Sequence, residues 1–184
     1  STTRRFVYRL KLTNWEVEIM FEDMIRGWFS GEDVPYNDFI EALLLGDVKA
    51  MNRYMNKVAL ATFSYFDTGK RPSDEIEPER FYHGFVLGLM VELAGRYRIT
   101  SNRESGFGRY DVMLEPCKKE DTAFVLEFKV RDPEDEDTLE DTVQEALKQI
   151  QDKNYDRELT ARGIPEKRIR HLGFVFEGKR VLIG

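Results

Sequence analysis

Asp111, Glu127 and Lys129 are the residues of this chain whose types and spacing suit chemistry. Asp111 lies in the run Arg109-Tyr110-Asp111-Val112-Met113-Leu114, and sixteen residues on Glu127 and Lys129 interrupt Phe124-Val125-Leu126-Glu127-Phe128-Lys129-Val130. Side chains alternate across a strand, so Glu127 and Lys129 share one face while Leu126, Phe128 and Val130 share the other. Charged groups are seldom buried without a partner or a task. Two carboxylates converging from adjacent strands repel, and a hard divalent cation such as Mg²⁺ or Mn²⁺ would offset that cost. With a lysine beside them, the set suits a metal, a water nucleophile and a phosphate. The plainer alternative is a solvated sheet face with a weak cross-strand ion pair. The apolar neighbours on both runs disfavour it.

Other residues gain interest from their position. Glu79 and His83 are four apart and share a helix face just before the acidic strands, as candidate metal ligands. A capping glutamate and a histidine bonded to a backbone carbonyl are the ordinary alternative. The segment Ser101-Asn102-Arg103-Glu104-Ser105-Gly106-Phe107-Gly108-Arg109 reads either as a hairpin turn or as a loop whose Arg103 and Arg109 meet phosphates. Gln149, Gln151 and Tyr155 lie on a late helix, where polar side chains usually face solvent.

These residues need a scaffold. Apolar spacing predicts helices over 14–29, 36–45 and 47–66, punctuated by Gly46 and Gly69. A breaker-rich stretch, Gly69-Lys70-Arg71-Pro72-Ser73-Asp74, follows. We place a boundary there, with a helical subdomain over 1–75 and the functional core over 76–184. Residues 79–95 form a helix apolar on nearly all sides, to be buried against a sheet. Strands are expected over 97–101, 109–115 and 123–130, then a helix over 139–159. Two strands around the turn Glu177-Gly178-Lys179 close the chain. The fold class is α/β (α+β), a mixed central sheet flanked by helices.

The chain has 184 residues, 41% of them hydrophobic and 34% charged, with a net charge of −6. No global basic footprint exists, yet Arg96, Arg98, Arg103, Arg109, Arg162, Lys167, Arg168 and Arg170 cluster locally, and one positive face suffices to bind nucleic acid. The near-continuous acid of residues 132–141 reads as a solvated loop entering a helix. One cysteine and two histidines argue against structural zinc, and the lone Cys117 suits a reducing cytoplasm. No apolar run is long enough to span a membrane.

Together these residues resemble the PD-(D/E)XK nuclease superfamily. Asp111 matches its second-strand aspartate, and Glu127-Phe128-Lys129 matches its (D/E)-x-K motif. Tyr110 stands where a proline is usual. The resemblance extends to the nuclease-like domain found C-terminal to bacterial AAA-ATPase-like proteins, through Phe81-Tyr82-His83-Gly84-Phe85-Val86-Leu87-Gly88, Ser101-Asn102-Arg103-Glu104-Ser105-Gly106, Gly108-Arg109-Tyr110-Asp111, Glu127-Phe128-Lys129 and Ala146-Leu147-Lys148-Gln149-Ile150. It covers residues 76–184 closely and the preceding helical segment more loosely. It implies a restriction-endonuclease-like core and a Mg²⁺- or Mn²⁺-dependent nuclease acting on nucleic acid, DNA above RNA. Asp111 and Glu127 would be metal ligands with Glu79 or His83, and Lys129 a catalytic residue. A late-helix glutamine, best matched by Gln149, would join the catalytic residues and Tyr155 would contact nucleic acid, although Gln151 to Tyr155 also fits by spacing. An AAA-type ATPase would be an attached partner; this chain holds no GxxxxGK[ST] loop. The competing expectation is a catalytically silent nucleic-acid-binding or regulatory module attached to such an ATPase.

Overall fold

The computed structural model describes residues 37–62, 78–105, 108–131 and 138–184. The helix expected over 14–29 and the boundary at 75/76 lie outside the described residues. Helices α1 (Asn37–Leu45) and α2 (Val48–Thr62) are separated by Gly46, whose φ of +71° admits the left-handed cap that ends a helix cheaply at glycine. Asp47 then caps α2, its carboxylate accepting the Ala50 N–H at 2.9 Å. Helix α3 (Pro78–Leu89) opens on a proline, as suits a first helical position, and gives way to a 3₁₀ turn (Val91–Gly95). The helix expected over 79–95 is thus an α-helix only to Leu89.

Strands β1 (Tyr97–Ser105), β2 (Gly108–Pro116) and β3 (Ala123–Val130) form an antiparallel meander. Polar residues 101–105 and 108–109 extend β1 and β2 as a hairpin, pairing Arg103 with Tyr110 and Glu104 with Arg109. Helix α4 (Leu139–Asp152) crosses over to β4 (Ile169–Glu177), which runs parallel to β3. Its start is fixed by a capping box. The Thr138 hydroxyl accepts the Asp141 N–H, and the Asp141 carboxylate accepts the Thr138 N–H. The helix expected over 139–159 stops at Asp152 because Asn154 adopts φ +52°, a conformation asparagine tolerates. The Tyr155 N–H then reaches back to the Ile150 carbonyl at 3.3 Å, and the Asn154 N–H to Gln151 at 3.0 Å, which satisfies the last carbonyls. A short helix α5 (Arg157–Ala161) follows, and β5 (Arg180–Ile183) closes the sheet in the order β1-β2-β3-β4-β5.

Alternation sends the sheet's side chains into two cores. Leu114, Leu126, Phe128, Phe174 and Phe176 meet α1, α2 and α3 on one face. Met113, Val125 and Ala123 meet Ile150, Tyr155, Leu159 and Ile164 on the other, beside a cluster of Leu139, Val143 and Val175. The result is a mixed sheet with helices on both faces. α1 and α2 share the first core; the Phe39 and Phe174 rings lie 6.5 Å apart. In α3, Tyr82 stacks on Phe176 at 4.0 Å and donates to the Gly178 carbonyl at 2.7 Å.

The edge strand β5 is covered by α2. Asn52 and Asn56, one turn apart, each offer an amide as a strand would. Asn52 bonds the Ile183 N–H (2.8 Å) and C=O (2.7 Å), and Asn56 bonds the Val181 N–H (3.0 Å) and C=O (2.7 Å). Those backbone groups are thereby satisfied and closed to another chain. Among the described residues, no helix is long and apolar enough to cross a membrane.

Candidate active site

Asp111 and Glu127 sit one step beyond the Val112–Leu126 pair of β2 and β3. By strand alternation they share the face of Met113 and Val125, beneath α4 and its C-terminal turn. The Phe128 N–H donates to the Asp111 Oδ2 at 2.8 Å, so β3's backbone orients the carboxylate from β2. Burial pushes the Asp111 carboxyl above the ordinary aspartate range; the Phe128 N–H and the Lys129 charge act against that rise. The aspartate is therefore held where its charge is costly, with one cation near enough to offset part of the cost.

Glu127 is buried, at 4% exposure, and its Oε1 accepts from the Gln149 side-chain amide. The Gln149 Nε2 also lies 3.4 Å from the Tyr155 hydroxyl. The structure thus brings Gln149 to Glu127 and leaves Gln151 exposed. The local cause is a pair of small residues. Gly173 is Glu127's register partner on β4, and a Cβ added there would sit 3.1 Å from the Ala146 Cβ and 3.2 Å from the Val143 carbonyl. A bare glycine facing an alanine lets α4 approach the sheet, and Gln149 follows Ala146 by three residues on the same helix side.

Tyr155 is placed differently from the exposed nucleic-acid contact expected of it. Its ring is 1% exposed and belongs to the second core. The left-handed Asn154 turns the chain inward, a change that helical spacing does not foretell. Burial pushes its phenol up. The Gln149 hydrogen bond opposes that shift, and the Glu127 and Asp111 carboxylates add to it. Those two carboxylates act on one phenol, which places all three groups around one site. The hydroxyl stays protonated at neutral pH.

His83 lies on α3, on the helical side of β3. Its ring stacks on Phe128 with centroids 5.2 Å apart, and Phe128 packs in the core on the face opposite Glu127. The side chains of Glu79, Arg103 and Arg109 lie outside those described. Among the described residues, no three or more histidine, cysteine, aspartate or glutamate side chains cluster as a metal-binding group. Two buried oxygen donors nonetheless suit Mg²⁺, which commonly takes one or two carboxylates and completes its shell with water and substrate phosphate.

The mixed sheet thus carries Asp on its second strand and Glu-x-Lys on its third, with a glutamine over the glutamate. A family model described as the PD-(D/E)XK nuclease superfamily matches residues 77–184. The chain belongs to the PD-(D/E)XK nuclease superfamily. No curated protein and no solved structure matches it.

Proposed function

We propose that this chain is a divalent-metal-dependent nuclease domain that hydrolyses phosphodiesters of nucleic acid, DNA before RNA. The observation that carries the proposal is the convergence of Asp111, Glu127 and Lys129 with Gln149 and Tyr155 on one sheet face. Asp111 and Glu127 would hold Mg²⁺ or Mn²⁺, with Glu79 or His83 of α3 as a third ligand. When bound, the cation supplies Lewis acidity at the phosphate and at the attacking water. The Phe128 N–H holds the Asp111 carboxylate in one orientation, and Gln149 does the same for Glu127. Fixing carboxylate ligands in this way raises metal affinity and activity. Lys129, two residues beyond Glu127 on the same face, orients the water and offsets the negative charge that builds on the phosphate in the transition state. Tyr155 backs Gln149 from the core side. Arg103 and Arg109 lie on the adjoining β1–β2 hairpin and would contact the backbone of the substrate. An AAA-type ATPase is the proposed partner outside this chain.

A nuclease assay paired with a binding assay separates this reading from a silent binding or regulatory module. Supercoiled, linear duplex and single-stranded DNA and RNA are incubated with Mg²⁺ or Mn²⁺, with and without EDTA. Cleavage that EDTA abolishes is expected. Binding without cleavage on every substrate would favour the silent module, and neither binding nor cleavage a purely regulatory role.

A further inference from the structure

The turn between β2 and β3, at the far end of the sheet from Asp111's end of β2, gathers positive charge in a chain whose net charge is −6. Arg96, Lys118 and Arg168 all act on Asp121 and pull its carboxyl below the usual range; Arg96 does most, through its 3.0 Å hydrogen bond. Arg168 also donates to the Lys119 carbonyl at 3.0 Å. Beside this group a cavity of about 140 Å³ is lined by Arg98, Lys119, Arg162 and Glu115. A second, of about 360 Å³, adjoins it through Cys117 and is lined by Arg96, Lys118 and Asp121.

Two of the acids beside the smaller cavity are already engaged. Glu115 pairs with Arg98 at 3.3 Å and with Arg162, and Arg162 also pairs with Glu158. Arg96, Arg98, Lys118, Lys119, Arg162 and Arg168 outnumber Glu115, Glu120, Asp121 and Glu158, so a local excess of positive charge remains. Lys119 and Arg98 are exposed at the rim. The smaller cavity falls below the ~300 Å³ that a drug-sized ligand needs, and suits a single anionic group. Glu115 lies four residues from Asp111 on the same face of β2. That separation is about 13 Å along a strand.

We infer that the Arg98–Lys119–Arg162 cavity binds a backbone phosphate of nucleic acid whose scissile phosphate lies at Asp111 and Glu127, about 13 Å away along β2. The choice of ligand rests on the nuclease reading. Each phosphate neutralised by a cationic side chain releases condensed counterions, so the contact has a signature in salt dependence that cleavage does not share.

The test is fluorescence anisotropy of a labelled DNA duplex with the full chain in EDTA, across a range of KCl concentrations. Arg98→Ala/Lys119→Ala is compared with wild type and with Lys49→Ala, an exposed lysine on α2. The double variant is expected to bind about tenfold more weakly at low salt, with a slope of log Kd on log salt shallower by about two. Lys49→Ala should keep the wild-type slope, and melting curves should show all three chains folded. If Arg98→Ala fails to fold, Lys119→Ala alone should make the slope shallower by about one. If wild type binds DNA and the double variant keeps the wild-type slope, the subsite is overturned and the nuclease reading is left intact. An equal loss in Lys49→Ala, or binding of polyglutamate but not of DNA, overturns it too. Loss of metal-dependent cleavage by wild-type protein would instead count against the nuclease reading.

Discussion

At Asp111, burial sets the pH behaviour of the site. Its folded pKa lies above the unfolded value, so the folded state binds the extra proton. The stability that this provides is complete below the ordinary aspartate value near ~3.9, and is lost as pH rises through the raised folded value. At neutral pH without metal, the buried charge is a net cost. Asp111→Asn should therefore melt higher than wild type at pH 7 in EDTA, the asparagine carbonyl still accepting the Phe128 N–H. The gap should close as pH falls below about 4. Adding Mg²⁺ should raise the melting temperature of wild type, since a ligand that binds only the folded state stabilises it, and leave Asp111→Asn unmoved. Thermal melts across pH with and without Mg²⁺ check this; an equal Mg²⁺ response in both proteins contradicts the ligand assignment. That Asp111, Glu127 and Lys129 share one sheet face was legible in the sequence, because a two-residue period fixes which side chains lie together. The stacking of His83 on Phe128 was not, because alternation cannot say which face of the sheet a preceding helix covers.

Elements set how closely those residues meet. The contact between α4 and β4 depends on Gly173 facing Ala146, and the position of Gln149 over Glu127 depends on that contact. Gly173→Ala would force α4 outward by a few tenths of an ångström. A loss of about 1–3 kcal/mol of stability is expected from overpacking, with activity falling about 10–100-fold as Glu127 loses its orienting amide. Chemical denaturation and initial rates on the same protein measure both. A variant that is destabilised but fully active would separate helix approach from the site. Element order was readable from apolar period and breakers. The break after Asp152 was not, because it rests on a single left-handed asparagine inside an otherwise helical pattern. Tyr155 owes its burial to that break. The Asn52 and Asn56 clamp on β5 was equally hidden, since two asparagines on a helix read as ordinary solvent-facing residues until the strand they pair with is in place.

Across the whole molecule, the sheet divides the work. Its α1–α3 face is a conventional apolar core containing Phe39, Phe128, Phe174 and Tyr82. Its α4 face buries less and carries the carboxylates. Charge is divided as well, with acid at the site and cations around the β2–β3 turn, although the overall balance is negative. The claim joining these scales is that the site turns over phosphodiesters and that Lys129 serves the transition state more than the metal. The most direct measurement is the rate of DNA cleavage by wild type and by Lys129→Ala in Mg²⁺, with the metal affinity of each found by calorimetry. We expect wild type to cut, and Lys129→Ala to lose far more than tenfold in rate, a barrier increase above about 1.4 kcal/mol, while binding Mg²⁺ nearly as well. Cleavage by Lys129→Ala within tenfold of wild type, or no cleavage by wild type on any substrate with either ion, would contradict it.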